Sequence, residues 1–120
     1  MNYLGEGATG LLMYNAHGNM SVHLMQANRP VFASGDRLGG TADEIKAAFE
    51  GYHAYFGTYE VNERESLIVH HLAGCTFPNW VGSEQQRRYE FDGNRLTLTT
   101  PPILMHDALA VGTLVWERVR

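Results

Sequence analysis

The feature that most constrains the fold of this chain is a series of short segments in which apolar and polar residues alternate between turn-forming residues. In residues 20–26, three apolar side chains alternate in this way with polar ones. A period of two is typical of a β-strand with one buried face. The apolar run at residues 9–15 ends shortly before this segment, at a turn that contains Gly18, so the two segments predict a β-hairpin.

The same pattern continues through most of the chain. The further strand candidates are residues 55–61, 67–73, 84–91, 95–100 and 110–119. The sequence Asp92-Gly93-Asn94 predicts a tight hairpin between two of them, and Pro101-Pro102 ends the strand that follows. About seven strands with mostly hairpin-length connections predict an all-β fold, in which an antiparallel sheet curls into a barrel or a sandwich.

One segment has the period of an α-helix instead. Thr41 and Glu44 have the spacing of a capping box, and apolar residues then follow at positions i, i+3, i+4 and i+7. This pattern predicts a single helix over residues 42–53. The preceding residues 29–40 are rich in glycine, proline and aspartate and predict a loop.

Length and charge limit the functions that the chain can have. Its 120 residues favour a single domain over residues 1–120. A net charge of -4 and the lack of basic runs argue against nucleic-acid binding. We find no apolar stretch long enough to cross a membrane and no signal peptide. The single cysteine, Cys75, fits a reducing compartment, so a cytoplasmic location is expected.

Two polar residues in predicted strands are candidates for the interior. In residues 67–73 the alternation allows either His70 or His71 to point inward, but not both. Arg87 shares a face with Tyr89 and Phe91 and would be a buried cation. It would then be held by Glu117 or by backbone carbonyls, or it would contact a ligand.

Aromatic residues complete the set of candidate ligand-binding residues. Tyr55 and Tyr59, together with Tyr14, could line a cavity with their hydroxyls or simply pack in the core. Trp80 and Trp116 could likewise stack on a ligand or anchor the core. The candidate ligand-binding residues are His70, Arg87, Tyr55, Tyr59, Trp80 and Trp116.

The motifs of common catalytic and cofactor sites are missing from the sequence. The six histidines lack the spacing of metal ligands, and no phosphate-binding loop or nucleophile elbow occurs. We therefore expect no metal and no cofactor, and we assign no catalytic residue.

Several stretches taken in order resemble the lipocalin-like domain family of small bacterial and fungal proteins. They include Tyr55-Phe56-Gly57-Thr58-Tyr59, His70-His71, and above all Phe77-Pro78-Asn79-Trp80-Val81-Gly82. The resemblance covers nearly the whole chain and implies an antiparallel lipocalin-like β-barrel with one helix and an apolar interior. It also implies that the face with Ile68 and Leu72 is inward, which predicts His70 inside and His71 outside.

The resemblance also bears on assembly, because members of the family usually begin with one more strand, which carries a Gly-x-Trp motif. This chain starts after that motif, so a barrel with an open edge is expected. Unpaired strand edges are usually paired or covered, which predicts a homodimer.

Three classes of function fit these expectations. The first is a binding protein that holds a small, mostly apolar ligand in the barrel. The second is a cofactor-independent cyclase or isomerase, in which a cavity histidine moves a proton and Arg87 stabilises an oxyanion. The third is a structural role as an oligomer.

Overall fold

The structure is a computed structural model that describes residues 5–119. Seven strands form one antiparallel sheet in the order β1-β2-β3-β4-β5-β6-β9, and β7 and β8 form a separate hairpin. The strands are β1 (Thr9–Tyr14), β2 (Asn19–Met25), β3 (Tyr52–Asn62), β4 (Leu67–Cys75), β5 (Glu84–Asp92), β6 (Arg95–Thr99), β7 (Ile103–Met105), β8 (Ala108–Ala110) and β9 (Thr113–Glu117). The helix α1 spans Ala42–Glu50.

The large sheet curls into a nearly closed barrel, as the resemblance implied. Its two ends approach each other where the Trp116 ring of β9 reaches Gly10 of β1: a Cβ at Gly10 would lie 3.2 Å from Trp116 Cη2. Leu12 of β1 also packs against a buried cluster of Ile68, Leu96 and Leu98. Within residues 5–119, β1 and β9 do not pair with each other, so a seam remains in the barrel wall.

The helix is capped as the sequence predicts but is shorter. The Thr41 hydroxyl accepts a hydrogen bond from the Glu44 backbone N–H, and the Glu44 carboxylate accepts one from the Thr41 backbone N–H. The prediction that the helix runs to residue 53 is wrong, because it ends at Glu50 with Gly51 as its cap. The next residues already belong to β3, where Tyr52 pairs with Met25 of β2.

The last third of the chain also differs from the prediction. The strand expected over residues 110–119 is present as β9 but spans only Thr113–Glu117, and two short strands that the sequence pattern did not indicate, β7 and β8, precede it. His106 and Asp107 adopt φ values of 47° and 63°, which allow the tight turn between those short strands. The corner before β5 contains a short 3₁₀ helix, Pro78–Trp80, which the sequence pattern did not indicate.

The buried side chains of the barrel are apolar apart from His70 and Arg87, among the residues that the structure describes. A second buried cluster contains Met20, Val22, Leu24, Tyr55 and Leu72. The pairing of β3 with β4 shifts between Phe56 and Gly57, where a Cβ at Gly57 would overlap the His71 carbonyl oxygen. Among the described residues, no helix is long and apolar enough to cross a membrane.

Candidate functional site

A large cavity occupies the seam between β1 and β9. Its volume is about 1380 Å³, against roughly 300–1,000 Å³ for a typical small-molecule pocket. Its inward-facing walls are mostly apolar and include Leu12, Leu24, Leu96, Leu114 and Trp116. The alternation of β1, β2, β6 and β9 puts these side chains on the barrel side, so the seam presents an apolar surface behind an unpaired edge.

Trp116 is the largest side chain that lines this cavity. Its ring packs against Leu12 and lies next to Gly10, where a side chain would collide with it. The indole Nε1 is buried and makes no hydrogen bond within the described part of the chain. Trp116 therefore gives the cavity a flat aromatic wall, whereas its buried Nε1 is not exposed to the cavity.

Behind the cavity lies a buried histidine held between two tyrosines. His70 is 0% exposed. Its Nε2 is 2.6 Å from the Tyr14 hydroxyl and its Nδ1 is 2.8 Å from the Tyr55 hydroxyl. A neutral imidazole has one N–H, so one ring nitrogen donates to a tyrosine and the other accepts from its partner.

This arrangement keeps the imidazole neutral. Burial lowers the pKa of His70 to about 4, and the nearby charges of Arg87 and His71 act in the same direction. A protonated ring would have two donors, so both tyrosines would then have to accept. His70 is therefore an uncharged link between two hydroxyls in the folded protein.

Tyr14 connects the buried histidine to the cavity. It is half-buried, and it both bonds His70 and lines the seam. Burial is the largest cause that raises its pKa above the ordinary tyrosine value, so the phenol is neutral at physiological pH. The Tyr59 ring lies 4.6 Å from the Tyr14 ring, and its hydroxyl donates to the Asn15 carbonyl.

Arg87 is buried, as its face predicts, and Glu117, one of the alternative partners, forms no ion pair with it. The side chain is 5% exposed, and its Nη1 donates to the Gln86 carbonyl at 2.9 Å. Among residues 5–119 no carboxylate lies within 4 Å of it. Of the alternatives left open by the sequence, the structure shows the backbone carbonyl, and the cation remains without a counter-ion among the described residues.

The phasing of the two histidines is as predicted. His71 points to the outer surface, where its ring nitrogens lie 3.4 Å from carboxylate oxygens of Glu60 and Glu84. The hydrophobic neighbours Ile68 and Leu72 share the inner face with His70.

The candidate ligand-binding residues separate into three places. His70, Tyr55 and Tyr59 gather around Tyr14, with Arg87 close enough to influence the pKa of His70. Trp116 lines the cavity. Trp80 lies elsewhere, with its ring 5.5 Å from the His53 ring and 5.6 Å from the Phe77 ring.

The sequence pattern did not single out the seam itself. The sequence identified Leu12 and Leu114 only as strand residues. Which strands become neighbours when a barrel closes cannot be read from the alternation within each strand. No group of three or more His, Cys, Asp or Glu residues in the described ranges is placed to hold a metal ion.

Comparison with known proteins agrees with this architecture. The family model described as "Lipocalin-like domain" matches residues 2–119. The chain belongs to the lipocalin-like domain family. The 4'-hydroxy-3'-methoxypropiophenone carrier protein ppsC of Aspergillus oryzae is 27% identical over 107 residues, which cover 83% of this chain and 96% of that protein. No solved structure matches the chain.

Proposed function

We propose that this protein is a carrier that binds one small, mostly apolar molecule in the seam cavity. The observation that carries the proposal is the cavity itself, which is large, lies in the wall of the barrel, and is lined by leucines and one tryptophan together with glycines and polar residues such as Asn94 and Glu117. Apolar walls with a few placed polar groups are typical of small-molecule sites. We also propose that residues 1–120 form one ligand-binding domain.

The lipocalin-like relative supports the choice of ligand. It is named as the carrier of an aryl ketone with ring hydroxyl and methoxy groups. A flat aromatic molecule of that kind suits a cavity whose largest wall is the Trp116 ring. We therefore infer a small aromatic ketone or a close analogue as the ligand of this chain.

The remaining candidate residues have supporting roles in this proposal. Tyr14 offers its neutral hydroxyl at the cavity wall, while His70 and Tyr55 fix its orientation from behind. Tyr59 packs against Tyr14. Arg87 places a positive charge near this group, which favours a ligand that turns a polarised oxygen toward it. Trp80 is kept as a candidate for a second aromatic contact, although it does not line this cavity.

The hydrogen-bonded chain through Tyr14 favours a second candidate function, a cofactor-independent isomerase or cyclase. His70 is fully buried, so it would have to exchange a proton with a ligand through Tyr14. The raised pKa of Tyr14 and the lowered pKa of His70 make the two groups a weak acid and a weak base. Tyr14 therefore keeps its proton and His70 stays unprotonated at neutral pH, so neither group transfers a proton readily. This supports the carrier over the enzyme.

We also propose that two copies associate through β1. Leu11 and Met13 on its outer face are 45% and 56% exposed. An exposed apolar face of this kind can pack against its own copy about a two-fold axis. Native mass spectrometry of the protein from its own cells is expected to show a dimer with a retained small molecule. A monomer at every concentration would contradict the dimer.

The free thiol of Cys75 supports a cytoplasmic location for this carrier. An oxidising compartment would select paired cysteines in a small domain, and this chain has one cysteine. Fractionation of the native cells would show in which compartment the protein lies.

The carrier proposal is tested by displacement of the apolar dye N-phenyl-1-naphthylamine with 4'-hydroxypropiophenone. The unmodified protein is expected to enhance the dye's fluorescence, and the ketone is expected to reverse it. Leu114→Lys puts a charge into the cavity and should abolish both effects, whereas Thr97→Lys on β6, outside the cavity lining, should leave them unchanged. Circular dichroism checks that both variants fold. Equal dye binding by the two folded variants would refute the seam as the site.

A further inference from the structure

The seam cavity extends through the barrel wall to the outer surface. Leu12 and Leu114 line it from the inner face of β1 and β9. Leu11, Met13 and Val115 line the same cavity from the outer face of these two strands. Small-molecule sites usually bury about 70–90% of the ligand surface. A ligand in the seam therefore needs a cover on its outer side.

The outer opening of the cavity is surrounded by exposed apolar side chains. Six large apolar residues that line the cavity are between 45% and 80% exposed, and they form its rim: Leu11, Met13, Phe91, Val111, Val115 and Val119. Single exposed apolar side chains are ordinary, but a group of them around one opening marks an interaction surface. The cover that fits this rim is therefore apolar where it meets the seam.

The charged side chains beside the rim narrow the choice of cover. Among the described residues that line the cavity, the charged ones are Glu117 and Arg118, and both are exposed. Neither forms an ion pair within residues 5–119. In a two-fold contact each surface meets its own copy, so Glu117 of one copy can face Arg118 of the other, and the reverse. An anionic membrane attracts basic segments instead, whereas the chain has a net charge of -4.

We propose that a second copy of this chain covers the seam, so that ligand binding and dimerisation strengthen each other. This inference rests on the proposed carrier function, and it extends the proposed contact on the outer face of β1, which belongs to the rim. The two rims face each other across the two-fold axis, so each copy closes the cavity of its partner. By linkage, the ligand then favours the dimer by the same factor by which the dimer favours the ligand.

Sedimentation velocity and ligand titration test this coupling. The ketone 4'-hydroxypropiophenone should tighten the dimer by roughly 5-fold or more, the usual size of such a coupling. The affinity for the ketone should rise by the same factor as the protein concentration passes through the range in which the dimer forms.

Two valine variants locate the contact. Val115→Asp puts a charge into the rim, so it should weaken dimerisation by more than about 10-fold, and its ketone affinity should not depend on protein concentration. Val81→Asp is the matched control, because Val81 is 50% exposed against 61% for Val115 and does not line the cavity. This control should behave like the unmodified protein. Circular dichroism checks that both variants fold.

An exchange of charges separates a second copy from any other cover. Glu117→Arg and Arg118→Glu each place like charges opposite one another in their own dimers, so each variant alone should dimerise about 10-fold or more weakly than the unmodified protein. An equal mixture of the two variants should form a mixed dimer, because opposite charges meet again. Equal dimerisation of each variant alone and of the mixture would overturn the pairing.

The outcomes distinguish this inference from the function on which it rests. If the ketone binds monomer and dimer with the same affinity, or binds a protein that stays monomeric, the carrier stands and the second copy is not the cover. If the ketone does not bind, the carrier proposal for this class falls and the coupling falls with it. The charge exchange then still decides whether the two rims pair.

Discussion

Acidification should destabilise this protein through His70. The pKa of its ring is lowered to about 4 in the folded protein, whereas a histidine in an unfolded chain has a pKa of about 6.5. The unfolded state therefore binds more protons than the folded state between these two values, so the free energy of unfolding falls as the pH falls through them. The full effect amounts to about 3 kcal/mol, reached below both values.

The effect is measurable well above the pH at which carboxylates protonate. Between about pH 7 and pH 5, His70 alone should lower the free energy of unfolding by about 2 kcal/mol. Urea unfolding followed by circular dichroism at a series of pH values measures this loss. The pKa of His53 is also lowered, by burial and by Arg87, so it adds to the loss in the same direction.

Two variants on β4 provide the control for this prediction. His70→Gln keeps an amide that can bond both tyrosines but does not titrate, so its stability should change less with pH by about 2 kcal/mol over the same range. His71→Gln, on the outer surface, should retain the loss due to His70. Equal pH dependence in His70→Gln and in the unmodified protein would refute the account of a neutral, buried imidazole.

Three further predictions concern the charge, the helix and the bulge. Arg87→Met should raise the free energy of unfolding by about 1 kcal/mol, since the buried cation has no carboxylate within 4 Å among the described residues. The control Arg88→Met should change the free energy of unfolding by less than about 0.5 kcal/mol in the same urea series. Thr41→Ala should cost about 1 kcal/mol by removing the helix cap, seen as a lower thermal midpoint. Gly57→Ala should lower the free energy of unfolding by about 1–3 kcal/mol, because its Cβ would overlap the His71 carbonyl oxygen. Gly35→Ala, with open space around it, should change the free energy of unfolding by less than about 0.5 kcal/mol. Equal losses at the two glycines would contradict the close approach at Gly57.

The strands and the capped helix start were predictable because both depend on local sequence. Period-two alternation gave the large sheet, and the spacing of Thr41 and Glu44 gave the helix start. The helix end was placed too late because apolar residues at helical spacing continue to Tyr52, where pairing with β2 takes over. The β7–β8 hairpin was missed because its turn at His106 and Asp107 contains no glycine and each of its strands has only three residues, too few to show a clear alternation.

The site was only partly predictable because it depends on closure of the barrel. The burial of Arg87 followed from the pattern of apolar residues around it, whereas the inward position of His70 followed from the family resemblance, because the alternation alone allowed either histidine inside. The surroundings of these two residues could not be predicted, because the approach of β1 to β9 brings together residues about a hundred positions apart in the chain. The link between His70 and the cavity through Tyr14 likewise depends on contacts between the first strand and the middle of the chain.

The central claim is that a small aromatic ligand occupies the seam between β1 and β9. The most direct measurement is the map of backbone amide shifts when 4'-hydroxypropiophenone is added to the nitrogen-15-labelled protein. The perturbed amides should cluster on these two strands, around Leu12, Tyr14, Leu114 and Trp116. Perturbations centred instead on Trp80 and His53, or no saturable change at all, would contradict the account.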